Sequence, residues 1–67
     1  MNVKIYDINQ DTGEQTFRAV AYLADAMASD DDEYSAARAE LQRSGRYWVG
    51  GGAAPLVLLM RTTQTID

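Results

Sequence analysis

The chain has 67 residues, 6 Lys and Arg against 10 Asp and Glu, a formal net charge of -4, and neither cysteine nor histidine. The missing thiol and imidazole exclude His-based triads, Cys–His pairs and zinc hydrolase sites within one chain, and no cofactor or metal is expected. A single domain over residues 1–67 hides only about 60% of its unfolded surface, and disulfides are not available to support it, so a second copy or another protein is the support expected.

Residues 1–8 read as a strand. Val3 and Ile5 fall on one face and Lys4, Tyr6 and Ile8 on the other, the period of two that marks a pleated chain. The polar cluster Asn9, Gln10, Asp11, Thr12, Gly13 then reads as a hairpin turn. Residues 14–20 form the returning strand, with Phe17 and Ala19 sharing a face. Residues 21–28 are alanine-rich and predict a helix, with Tyr22, Leu23, Ala26 and Met27 as its apolar stripe. Ser29 is a good N-cap, and Asp30, Asp31 and Asp32 suit a first turn, where the helix dipole favours negative charge. A second helix is therefore expected over residues 30–44, with a break from the first favoured at Ser29. Tyr34, Ala37 and Leu41 lie on one face of it, and Gly45 is at the expected C-cap position. Residues 46–49 form a third strand. The glycines at 50–52 open a loop, and residues 56–61 form a fourth strand, apolar on both faces and therefore central. Residues 62–67 are polar and read as a frayed tail. The order is β-β-α-α-β-β, an α+β fold: a small antiparallel sheet with two short helices on one face. Two such helices leave the other face poorly covered, with Tyr6, Ile8 or Trp48 on it, a second reason to expect a partner or a homodimer.

No targeting segment is visible in residues 1–10. The longest apolar stretch, residues 53–60, is far short of the about 20 residues that cross a membrane. A cytosolic address and no membrane partner are expected.

The most distinctive feature is acidic. Asp25, Asp30, Asp31, Asp32 and Glu33 crowd into nine residues, and residues 19–37 hold no Lys or Arg. One reading is a capped, solvated helix start. The other is a docking patch, since helical neighbours three or four apart stand about 5–6 Å from each other, broadly the phosphate repeat of a nucleic-acid strand. The spacing of a calcium loop is absent. The three glycines lack the following helix and Lys-Ser/Thr of a phosphate loop, so a flexible connection or a close backbone approach to a partner is the better reading. Arg38, Arg43 and Arg46 read as ion-pair partners and dipole complement, or as a basic edge beside Tyr47 and Trp48. Trp48 shares its face with Arg46, a combination suited to an interface anchor. Direct nucleic-acid binding is disfavoured by the net charge, and nothing in the spacing points to a catalytic cleft.

In size, in the opening hairpin from Val3 to Glu14, in the acidic run Asp30, Asp31, Asp32, Glu33 and in its Cys-free compact layout, the chain resembles the small acidic proteins of phages and mobile elements, among them anti-CRISPR proteins. The resemblance is one of size, charge and layout and carries no specific motif. It implies a non-enzymatic inhibitor that binds a Cas effector complex through a basic, nucleic-acid-binding surface. The partner-binding residues expected are Asp25, Asp30, Asp31, Asp32 and Glu33, with Tyr34 or Trp48 as anchor. The alternative is a small homo-oligomeric regulatory or toxin–antitoxin accessory module with Trp48 at the subunit interface.

Overall fold

The computed structural model describes residues 1–27 and 31–66. The elements run β1 (Asn2–Ile8), β2 (Gln15–Tyr22), α1 (Leu23–Ala26), α2 (Asp31–Ser44), β3 (Arg46–Gly51) and β4 (Ala54–Arg61). The four strands form one antiparallel sheet in the order β2-β1-β4-β3. The α+β fold and the β-β-α-α-β-β order are as the sequence predicts, and β4, apolar on both faces, is an inner strand.

The first hairpin is closed by Asn9. Its side-chain oxygen accepts from the amides of Asp11 and Thr12 at 2.9 and 3.3 Å, and its carbonyl accepts from Gly13 at 2.7 Å. A short polar side chain that bonds its own following backbone is the usual device of such turns.

Strand β2 runs through Val20 as expected, and the expectation of a helix from residue 21 is corrected. Alanine favours a helix there, but the β1 ladder continues instead: Ala19, Val20, Ala21 and Tyr22 pair with Ile5, Lys4, Val3 and Asn2. Leu23 then donates to the Met1 carbonyl at 2.8 Å, so the helix cannot begin before Leu23. Cross-strand hydrogen bonds here outweigh the weak prior of propensity. Helix α1 is a single turn, and Tyr22 is a strand residue rather than part of a helical stripe. The predicted end of that helix at Ala28, the cap at Ser29 and the start at Asp30 lie outside the described residues.

A second correction comes from a β-bulge. Ile5 pairs with Ala19 and Tyr6 with Phe17, so Arg18 is the extra residue on β2. A bulge shifts the alternation by one residue. Phe17 therefore joins Tyr6 on one face while Ala19 joins Ile5 on the other, against the sequence expectation that they share a face. The displaced Arg18 forms an ion pair with Asp7, with a second contact from Nε at 3.1 Å.

Val3, Ile5 and Leu59 from the sheet pack with Leu23, Met27, Ala37 and Leu41 from the helical layer. Tyr47, Val49 and Val57 add partly buried contacts to this cluster. Helix α2 ends as predicted at Gly45, whose φ is 84° and whose amide donates to Leu41 at 3.0 Å. The β3–β4 hairpin is tighter than the flexible loop expected from its glycines. Gly50 has φ 85°, and a Cβ there would lie 2.1 Å from the Pro55 carbonyl oxygen. That glycine serves a close backbone approach within the hairpin itself. Beyond β4, Thr62 donates to the Asn2 carbonyl at 3.1 Å and Asn2 Nδ2 to the Gln64 carbonyl at 2.9 Å.

Candidate functional site

The sheet has one face under the helices and one without. Register assigns the helix-free face directly. Phe17, Tyr6, Leu58 and Trp48 form one row across all four strands, and Val20, Lys4, Met60 and Arg46 form the next. Ile8 and Leu56 continue it. Leu58 is the row's buried member at 2% exposure, whereas Phe17, Tyr22, Trp48 and Met60 are 52%, 53%, 47% and 36% exposed. The Tyr6 and Phe17 rings meet edge to face with centroids 5.7 Å apart. Of the residues the sequence offered for the uncovered face, Tyr6, Ile8 and Trp48 all belong to it. Its only charged members in these rows are the cations Lys4 and Arg46.

The acidic residues occupy the other layer. Asp31, Asp32 and Glu33 are exposed in the first turn of α2, and Asp25 is exposed on α1. Asp30 lies outside the described residues. Tyr34 is half-buried and packs against the hydrophobic cluster, which makes it a core side chain rather than an exposed anchor. Trp48 is on the opposite side of the sheet from α2. The structure thus brings Asp31, Asp32 and Glu33 together on one helical turn and separates them from Trp48.

The basic residues are sorted in a way that sequence proximity does not show. Arg43 pairs with Glu40, Nη2 to Oε1 at 2.5 Å and Nε to Oε2 at 3.1 Å. This guanidinium, and then the Ser44 hydroxyl at 2.9 Å, hold the Glu40 carboxyl below its ordinary value. The Arg18 guanidinium does the same for Asp7, and Asp7 in turn raises Arg18. Arg46 lies beside Trp48 on the helix-free face while Tyr47 faces the helices, yet Arg43, Arg46, Tyr47 and Trp48 line one cleft together with Glu40 and Ser44. Arg38 is placed instead near Arg61 from the end of β4. Sequence reasoning missed Arg61, which stands 23 positions from Arg38 and meets it only through the sheet order.

Among the described residues, no group of three or more Asp or Glu is arranged to hold a metal ion, and no helix is long and apolar enough to cross a membrane. Comparison of the chain with protein-family models, curated proteins and solved structures finds no match.

Proposed function

We propose that the protein is a non-enzymatic, phage-type inhibitor of the anti-CRISPR kind, which occupies a basic surface of a nucleic-acid-binding machine such as a Cas effector complex. The observation that carries this reading is the segregation of charge. Three exposed carboxylates stand at the start of the 14-residue helix α2, and the rise of the helix sets them about 15–18 Å from Arg43 in its last turn. Carboxylates on one helical turn present a dense negative surface, and a Lys/Arg groove built for phosphates attracts such a surface over a Debye length of about 8 Å at physiological salt. Binding of this kind is steered by charge and weakened by salt.

The test is competition. The purified protein is added to an effector complex and its labelled target DNA, and DNA binding is followed by anisotropy. The reading predicts that DNA is displaced and that the displacement fades as salt rises. Undiminished DNA binding at saturating protein contradicts it.

A second reading rests on the helix-free face. Phe17, Tyr22, Trp48 and Met60 leave exposed apolar side chains on one face of a small domain, and a second copy laid sheet to sheet would cover them. The protein is then a homo-oligomeric regulatory module. Light scattering decides: a dimer whose mass is indifferent to salt and falls to the monomer in Trp48→Asp supports this reading, and a monomer at high concentration refutes it.

A further inference from the structure

Four cationic side chains make no ion pair with any described residue: Lys4, Arg38, Arg46 and Arg61. All four belong to one end of the fold. Lys4 and Arg46 both pair across to Met60, and Arg61 follows Met60 on β4, opposite Val3. A molecule with net charge -4 has collected its uncommitted positive charge around the start of β1 and the end of β4.

A cleft of about 670 Å³ opens there between α2 and the end of β4. Arg38 and Gln42 line it from the helix, and Asn2, Arg61, Thr62 and Thr63 from the sheet side. No carboxylate is among its lining residues. Its walls are braced by bonds already made. Arg61 Nη1 donates to the Gln42 carbonyl at 3.1 Å, which fixes the guanidinium at the helix end and leaves its other donors open. Asn2 is held by its bond to Gln64, and the Thr62 hydroxyl accepts from the Gln64 amide at 3.1 Å. The Arg38 guanidinium, the Gln42 side-chain amide and the Thr63 hydroxyl have no partner among the described residues.

We infer that this cleft binds a phosphate-bearing small molecule, for which ADP is the probe, with its phosphate between Arg38 and Arg61. Two planar guanidiniums on facing walls supply forked donors whose geometry matches phosphate oxygens. The neutral donors of Gln42 and Thr63 complete the shell. Lys4 and Arg46, one row away on the other face, add positive potential. The volume exceeds what a bare anion needs and falls within the range of small-molecule sites, about 300–1,000 Å³. The site stands apart from the acidic start of α2 and does not depend on the inhibitor reading.

The test is an amide-shift titration of the ¹⁵N-labelled full chain with ADP, with inorganic phosphate and with a short oligothymidylate. ADP is expected to give saturable shifts confined to Asn2, Gln42 and residues 61–63, and phosphate to compete for them. Arg38→Gln, at an exposed position with no bond to lose, weakens ADP by about tenfold or more. Arg43→Gln, which leaves both cleft arginines in place, does not. Oligothymidylate that shifts the same cleft amides supports the assignment with a strand as the source of the phosphate. The inference is overturned by an absence of saturable shifts at millimolar ADP, by an unchanged affinity in Arg38→Gln, or by shifts centred on Tyr6 and Trp48 instead of the cleft.

Discussion

Replacing Gly50 by alanine tests the close approach in the β3–β4 hairpin with an internal control two residues away, at Gly52. Gly50 and Gly52 both have positive φ, 85° and 60°. An alanine in this region costs about 1–2 kcal/mol from the clash of its Cβ with the backbone. At Gly52 that is the whole effect, because nothing lies within 4 Å of the added carbon. At Gly50 the carbon would lie 2.1 Å from the Pro55 carbonyl oxygen, and backbone cannot swing aside as a side chain can. Relief requires β4 to move away from β3 at its first paired residues, and a forced shift of this kind costs about 1–3 kcal/mol more. The total, about 2–5 kcal/mol, is a large part of the roughly 3–10 kcal/mol expected for a domain of this length. Urea unfolding followed by far-UV circular dichroism, in sucrose to keep both variants folded at the start, reads the difference. Gly52→Ala should lose about 1–2 kcal/mol and Gly50→Ala clearly more. Equal midpoints for the two variants would refute the close approach.

Other predictions address the core, the aromatic row and acid stability. Leu41→Ala, at a fully buried position under the sheet, should destabilise by about 2–5 kcal/mol in the same unfolding assay. Phe17→Ala, on the half-exposed side of the edge-to-face pair with Tyr6, should cost about 0.5–1.5 kcal/mol beyond its small burial, and less than Leu41→Ala. Asp7 and Glu40 are both held below their ordinary values by their arginine partners, so each binds protons more weakly folded than unfolded. Their stabilising contribution is present above the unfolded value, near pH 4, and is lost as pH falls through the lowered folded value. Asp7→Asn should flatten that acid limb in a pH series of thermal midpoints and leave the neutral-pH slope unchanged.

How much could be read in advance depended on how local the cause was. Strand β1 and helix α2 carry their own signals: alternating Val3 and Ile5, the acids of the first helical turn, and Gly45 at the far end. The apolar run of β4 identified an inner strand because both of its faces meet neighbouring side chains. Ala21 and Tyr22 misled because the alanine-rich stretch after Val20 favours a helix in isolation, while their conformation is set by pairing with Val3 and Asn2. The Arg18 bulge was invisible for the same reason, since it is a mismatch between two strands and not a property of either. Of the candidate site, the exposed turn Asp31, Asp32, Glu33 and the exposed Trp48 were legible. Their separation onto opposite layers was not, because it follows from which face of the sheet the helices cover. Tyr34 looked like an anchor by type and is a core residue by packing. Arg61 acquired its place beside Arg38 from the strand order alone.

The central claim is that the acids at the start of α2 make the inhibitory contact. Its most direct test is the double charge reversal Asp31→Lys, Asp32→Lys, assayed in parallel for folding and for retention on an immobilised Cas effector complex at low and physiological salt. Reversing a first-turn charge loses a favourable interaction with the helix dipole and adds an unfavourable one, roughly 0.6–2 kcal/mol for each, so folding is checked in the same assay. The account predicts that the wild-type chain is retained most strongly at low salt and that the folded reversal variant is not retained at all. A folded variant retained as well as wild type, at either salt, would contradict it.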